Sequence, residues 1–308
     1  MPTGRMRNVV LAAVCVALIA ASAAAIYYFK YGRGVKPEDL LAGLPGKDGA
    51  VLFLDIRALR LANVLDSIGG GSVAEEPDYK AFVAITHFNY RNDLDAVAVS
   101  WQSGDQYVHA AGRFDWVSLR NYALTQAGNC ALDVCSMPSN QPGRKIIFFQ
   151  SRPGVLALVV SSRIDAAADF HRPREPFNFV LPQQSFWFSF PGSFLKGEDT
   201  SPAGTRLFAK ILESSQRVNF ALGLRGTTFE LTMDAQCPSS KEAESALNQF
   251  DGVTEVMRKY MARMNQKPTP RELAGVLTAG IFRRDGAHVF GVWPIDRGFL
   301  NNMGGGSK

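Results

Sequence analysis

Residues 145–161, KIIFFQSRPGVLALVVS, decide the reading of the fold. Lys145 to Gln150 and Val155 to Ser161 are rich in aliphatic and aromatic side chains and flank Arg152-Pro153-Gly154, so the stretch reads as a β-hairpin. Ser162 to Phe170 then closes it as a short helix. The same grammar returns later: Val276 to Arg283 and His288 to Trp293 flank Asp285-Gly286, and a short helix runs from Ile295 to Met303. Gly154 and Gly286 lie 132 residues apart, and Ile164-Asp165 and Ile295-Asp296 lie 131 apart, which places both hairpins at one position of a repeated order.

Upstream of the first hairpin, Ala50 to Ile56 reads as a strand and Arg57 to Ile68 as a helix. A break at Gly69 to Gly71 precedes a helix near Pro77 to Thr86. Leu94 to Ser103 and Gln106 to Phe114 form paired strands around Gly104-Asp105, and Asp115 caps a helix with Trp116, Leu119, Tyr122 and Ala123 on one face. Upstream of the second hairpin the order is Ser185 to Phe190, a helix at Arg206 to Ser214, and paired strands Arg217 to Leu224 and Thr227 to Ala235. Ser239 and Glu242 make a capping box, and the helix behind it lines up Ala243, Ala246, Leu247, Phe250, Val253, Met257, Tyr260, Met261 and Met264 as a core stripe.

The expected fold is therefore α+β, with two tandem β-α-β-β-α-β-β-α units and mainly antiparallel sheets, one sheet per unit covered on one face by helices. Residues 48–171 form the first unit and 185–303 the second. The segment 172–184, with Pro173, Pro176 and Pro182, is the linker, and 304–308 is a flexible tail. The competing reading is chance recurrence within a single α+β domain.

Val9 to Phe29, VVLAAVCVALIAASAAAIYYF, is long and apolar enough for a helix crossing about 30 Å of hydrocarbon. Arg5 and Arg7 precede it, while Tyr27, Tyr28, Phe29 and Lys30 gather at its far end. The basic tail 1–8 is thus expected in the cytoplasm, 9–29 in the inner membrane, 30–47 as a juxtamembrane linker, and the bulk of the chain in the periplasm. Ala21-Ser22-Ala23 and Ala23-Ala24-Ala25 offer the alternative of a cleaved signal peptide. The apolar run continues through those sites into the aromatic collar, which favours an uncleaved anchor.

With 33 basic and 28 acidic side chains among 308 residues the formal charge is +5. Arg5, Arg7, Lys30 and Arg33 supply four of those charges, so the exported part is nearly neutral, and nucleic acid is not expected as a partner. At 46% hydrophobic and 20% charged, the chain is neither disordered, collagen-like nor a polytopic membrane protein.

Cys130 and Cys135 bracket CALDVC in a loop or strand approach, and in an exported chain they read as a local disulfide. Cys237 is either a buried thiol or a partner for one of them. The histidines, His87, His109, His171 and His288, stand too far apart for a helical metal pair, and no GxSxG, HExxH or P-loop occurs. Asp93 and Asp95, beside Arg91, read as a turn and an ion pair. No catalytic, metal or cofactor residue is expected.

The stretches HFNYRNDLDAVAVSW, YVHAAGRFDWVSLRNYAL, GRKIIFF and GVLALVVS resemble a group of membrane-anchored or exported proteins of acidobacteria. Their signature is an aromatic-x-Tyr-x-x-Asp-Leu-Asp turn, and the likeness covers roughly residues 48–165. It implies the architecture and carries no activity. The expected function is that of a non-enzymatic, membrane-anchored envelope protein, an accessory or scaffolding subunit that meets other membrane or periplasmic subunits. One alternative is a small-molecule or lipid carrier with a pocket between the units, near the aromatic cluster Phe177, Phe179, Phe186, Trp187, Phe188 and Phe190. Another is a hydrolase whose site assembles only in space.

Overall fold

The computed structural model describes residues 37–304 except 47, 67–75, 173–176, 178, 197–204, 226, 227 and 266. The expected anchor 9–29, with Arg5, Arg7, Tyr27, Tyr28, Phe29 and Lys30, lies outside the described residues. Among those described, no helix is long and apolar enough to cross a membrane.

In chain order the elements of the first half are α1 (Pro37–Leu41), β1 (Ala50–Leu54), α2 (Ile56–Leu61), α3 (Pro77–Thr86), α4 (Tyr90–Asp93), β2 (Leu94–Gln102), β3 (Asp105–Gly112), α5 (Trp116–Thr125), β4 (Asn129–Ala131), β5 (Val134–Pro138), β6 (Lys145–Arg152) and β7 (Val155–Ser161). The second half comprises β8 (Phe186–Phe190), α6 (Arg206–Leu212), β9 (Arg217–Arg225), β10 (Thr228–Gln236), α7 (Ser240–Arg263), α8 (Leu273–Thr278), β11 (Ile281–Asp285), β12 (His288–Ile295) and α9 (Arg297–Gly304).

These strands form one antiparallel sheet of twelve, in the order β11-β12-β10-β9-β8-β1-β2-β3-β7-β6-β5-β4. The expectation of a sheet in each unit is corrected here. β1 pairs with β8, with Phe53 opposite Trp187, and this join fuses the halves. Both runs, AVLFL and FWFSF, are apolar on both faces, so each needs a strand on either side as well as cover above and below. Outward from the join the order is β1-β2-β3-β7-β6 on one side and β8-β9-β10-β12-β11 on the other, so strands of equal rank occupy mirrored places.

Helix placement follows the pleat. Phe220, Met233 and Phe282 share one face with the core that also holds Phe208 and Phe250 of α6 and α7. Ser239 caps α7 by accepting the amide of Glu242, as the capping box predicts. Tyr260 and Met264, expected in the core stripe, are exposed. The expected strand from Val276 is instead α8 followed by β11, because Thr278 returns its hydroxyl to the carbonyls of Ala274 and Gly275. Helices are also not confined to one face: α1 packs under β2 and β3 on the other, where His109 Nδ1 meets the Leu40 carbonyl at 2.7 Å.

On that second face a 3₁₀ turn, Ala166–His171, is held by a polar clamp. Arg163 pairs with Asp105 at 2.9 Å and with Asp169, which also accepts the Tyr107 hydroxyl at 2.6 Å. Burial by itself pushes the Asp169 carboxyl up, but the Tyr107 hydrogen bond and Arg163 together outweigh it and hold the group below the ordinary carboxylate range. A depressed folded value stabilises above the unfolded value, near pH 4, and that stabilisation is lost as pH falls through the folded one. Asp169→Asn is therefore expected to cost about 1 kcal/mol at pH 7, with the gap to wild type closing below about pH 4. Urea midpoints measured from pH 7 to pH 3 check this, and a gap independent of pH would contradict it.

Candidate functional site

Exposed apolar side chains occur on α5 and on the β4–β5 hairpin beside it. Asp115 starts α5 by accepting the Val117 amide at 3.0 Å and the Ser118 hydroxyl at 2.6 Å. The Ser118 bond is the main reason its carboxyl sits below the usual range. One side of α5 faces the sheet, where Leu119 and Ala123 pack with Cys135 and Phe148. Val117 and Leu124, seven residues apart and so on one flank, are 66% and 56% exposed.

At the end of α5 the chain turns directly into β4. Ala127 takes a positive φ of 54°, and the Gly128 amide returns to the Ala123 carbonyl at 2.9 Å. A side chain at 128 would put its first carbon 2.4 Å from the Ser136 carbonyl oxygen and 2.5 Å from that of Ala123, so only glycine allows helix and hairpin to approach this closely.

Residues 130–135, expected as a loop or strand approach, form a tight hairpin. Cys130 stands opposite Cys135 and the two form a disulfide, with Cα atoms 4.0 Å apart. Leu132 occupies the turn in the left-handed region, φ 53°, and is 90% exposed, while Val134 beside it is 42% exposed. Arg120 of α5 donates to the Leu132 carbonyl at 3.3 Å, tying the turn to the helix flank that carries Val117 and Leu124. The disulfide thus braces a hairpin whose exposed Leu132 is tied to the helix flank of Val117 and Leu124, while Val134, which alternates with the inward-facing Cys135, lies on the opposite face of the sheet. Exposed aliphatic side chains beside one arginine, on a hairpin whose backbone is cross-linked, have the make-up of a contact surface.

In the second half α7, which follows β9 and β10 as α5 follows β2 and β3, exposes Val256, Tyr260 and Met264 at intervals of four. Their regular spacing is legible in the sequence. Their exposure is not, because apolar period alone reads as core.

The other residues singled out from sequence are placed as follows. Asp93 does form a turn and an ion pair, accepting the Asn89 amide at 2.9 Å and Arg113 at 3.0 Å. Arg91 pairs instead with Asp66, 3.0 Å away. Asp95 lies on β2, where the register with β3 shifts. Cys237 is buried and outside the disulfide, and burial raises its thiol. His288 Nδ1 lies 2.7 Å from Asp234 on the sheet face opposite α7. The aromatic segment is divided: Trp187 is buried in the join, Phe188 and Phe190 join the second-half core, and Phe179 lies over the buried guanidinium of Arg217 at 4.1 Å.

No family model matches the chain, and no curated protein matches it. Among solved structures, TP0453 in crystal form III shares the fold, with a TM-score of 0.52 at 10% identity over 86% of this chain and 97% of that one. Crystal form I of TP0453 gives a TM-score of 0.45 at 12% identity, covering 89% and 98% of the two chains.

Proposed function

We propose that this chain is a non-enzymatic envelope protein, held in the inner membrane by residues 9–29, whose periplasmic part serves as an accessory or scaffolding subunit for other membrane or periplasmic proteins. The observation that carries the reading is the exposed Leu132 on its disulfide-braced hairpin, tied through Arg120 to the helix flank that exposes Val117 and Leu124. A hairpin cross-linked this close to its tip presents Leu132 with little conformational entropy to lose, which favours a protein partner. The disulfide also suits an oxidising compartment. Tandem duplication, with units at 48–171 and 185–303, draws support from the mirrored strand order about β1 and β8.

The test is extraction of the full chain from its membrane in mild detergent, followed by cross-linking and sizing. Wild type is expected to run in a defined assembly. Val117→Asp and Leu132→Asp, both in solvent and so expected to leave the melting temperature unchanged, should each reduce that assembly at least fivefold. A strictly monomeric wild-type chain, or an assembly indifferent to both substitutions, overturns the proposal.

A further inference from the structure

The C-terminal half of α7 carries an apolar stripe turned to solvent. Val256, Tyr260 and Met264 follow one another at intervals of four, and each is more than half exposed. At about 100° per residue they fall along one flank of the helix, beside the buried stripe of Ala246, Phe250 and Met261. The other flank is occupied: α8 packs there, and Arg258 donates to the Thr278 carbonyl at 2.8 Å.

Charge is sorted on the same flank. Each of the three apolar residues is followed three positions later by an exposed base: Lys259, Arg263 and, just past the helix, Lys267. Residues three apart are neighbours on a helix surface, so Lys259 and Arg263 border the stripe on its solvent side. From Val256 to Arg271 the chain has no acidic residue. Glu244, Asp251 and Glu255 project from the opposite side of the helix, and Glu242, the one acid on the stripe's side, is held in the capping box about 20 Å away. Glu255 does reach Lys259, at 3.4 Å, but both side chains are more than half exposed, so the pair is weak and the lysine can meet a second anion. Apolar and basic groups thus share one accessible flank.

We infer that this flank docks on the surface of a bilayer bearing anionic phospholipid, with Val256, Tyr260 and Met264 entering the boundary of the acyl region and Lys259, Arg263 and Lys267 meeting headgroup phosphates. A tyrosine suits that boundary because its ring is apolar and its tip polar, and the long stems of lysine and arginine let their charges stay at the headgroups while the apolar side chains go deeper. A second copy of the chain is the poorer occupant, since pairing the same flank would bring like charges together. The contact is small and rests on the proposed anchor at 9–29, which keeps the domain at a bilayer and supplies the effective concentration that three apolar side chains do not. It shares no residue with the α5 surface.

The experiment uses the full chain in nanodiscs of phosphatidylglycerol or of phosphatidylcholine, each containing the same lipid with a diazirine at the glycerol end of one acyl chain, and maps the label by peptide mass. Residues 252–267 are expected to be labelled at least fivefold more in phosphatidylglycerol, with the excess lost in about 1 M salt, where the screening length is about 3 Å. The triple variant Lys259→Gln, Arg263→Gln, Lys267→Gln should lose the same excess, and Tyr260→Ser should cut labelling at least threefold with either lipid. All four positions are in solvent, so melting temperature and assembly size should not change. The peptide 8–30 reports the anchor and should be labelled equally in every variant. Label on 8–30 with none on 252–267, as a protein partner at this flank would produce, overturns the inference, and so does labelling of 252–267 that ignores the headgroup or survives the triple variant. Label on 252–267 with none on 8–30 would uphold the docking and overturn the anchor instead.

Discussion

Replacing Trp187 with alanine is expected to lower stability by about 3–5 kcal/mol, the range for deleting a buried aromatic side chain. Trp187 is 0% exposed at the centre of β8, between β1 and β9, and its ring stacks on Phe53 with centroids 5.8 Å apart. Alanine would leave a cavity at the strand pairing that joins the halves, with strands on both sides unable to close over it. The indole Nε1 has no hydrogen-bond partner among the described residues, so the ring and not its polar group supplies the stabilisation. Trp187→Phe should therefore retain more than half of what alanine loses. Because β1 and β8 are neighbours in one sheet, urea unfolding should remain a single transition whose midpoint moves while its slope does not. Two transitions, with only the second-half one shifted, would show that the halves unfold independently.

Removing the disulfide as Cys130→Ala with Cys135→Ala is expected to cost about 2 kcal/mol, the loop-closure value for a ring of roughly six residues. Alanine is the informative replacement because Cys135 is wholly buried against Leu119, Ala123 and Phe148, where serine would add an unpaired hydroxyl. The loss should be local. Amides of β4 and β5 should exchange faster than those of β2 and β3, since the hairpin forms the sheet edge and is held to the sheet only through β6. Dithiothreitol should reproduce the effect on wild type and do nothing further to the double variant. Unchanged exchange at 129–138 would mean that α5 alone holds the hairpin in place.

Local chemistry was written plainly in the chain. Asp115 and Ser239 cap the helices that follow them, and the Gly154 and Gly286 turns close hairpins at corresponding places. Each depends on side chains within a few residues of one another, so its signal survives in one dimension. Where local patterns competed, the reading failed. Val276 to Thr278 is apolar and could be strand or helix, and the Thr278 hydroxyl together with packing beneath α7 selects the helix. CALDVC is too short to announce a hairpin until the paired cysteines and the neighbouring β6 supply its partners.

The candidate surface was half legible. Cys130 and Cys135 drew notice through their spacing, whereas Val117, Leu124 and Leu132 look in sequence like ordinary core residues. Exposure is a property of what else packs nearby. Arg120 reaching the Leu132 carbonyl, and Gly128 letting helix and hairpin close together, bring the exposed Leu132 beside the outer flank of α5.

By itself the sequence determined the α+β class, nearly every strand pair joined by a turn, the two hairpins in register with each other and the caps of the long helices, because all of these rest on interactions between near neighbours. Only the tertiary structure decided that β1 meets β8. That pairing joins residues more than 130 positions apart, and its choice depends on which apolar edge remains uncovered once every local hairpin has formed. From that one pairing follow the single sheet and the burial of Trp187.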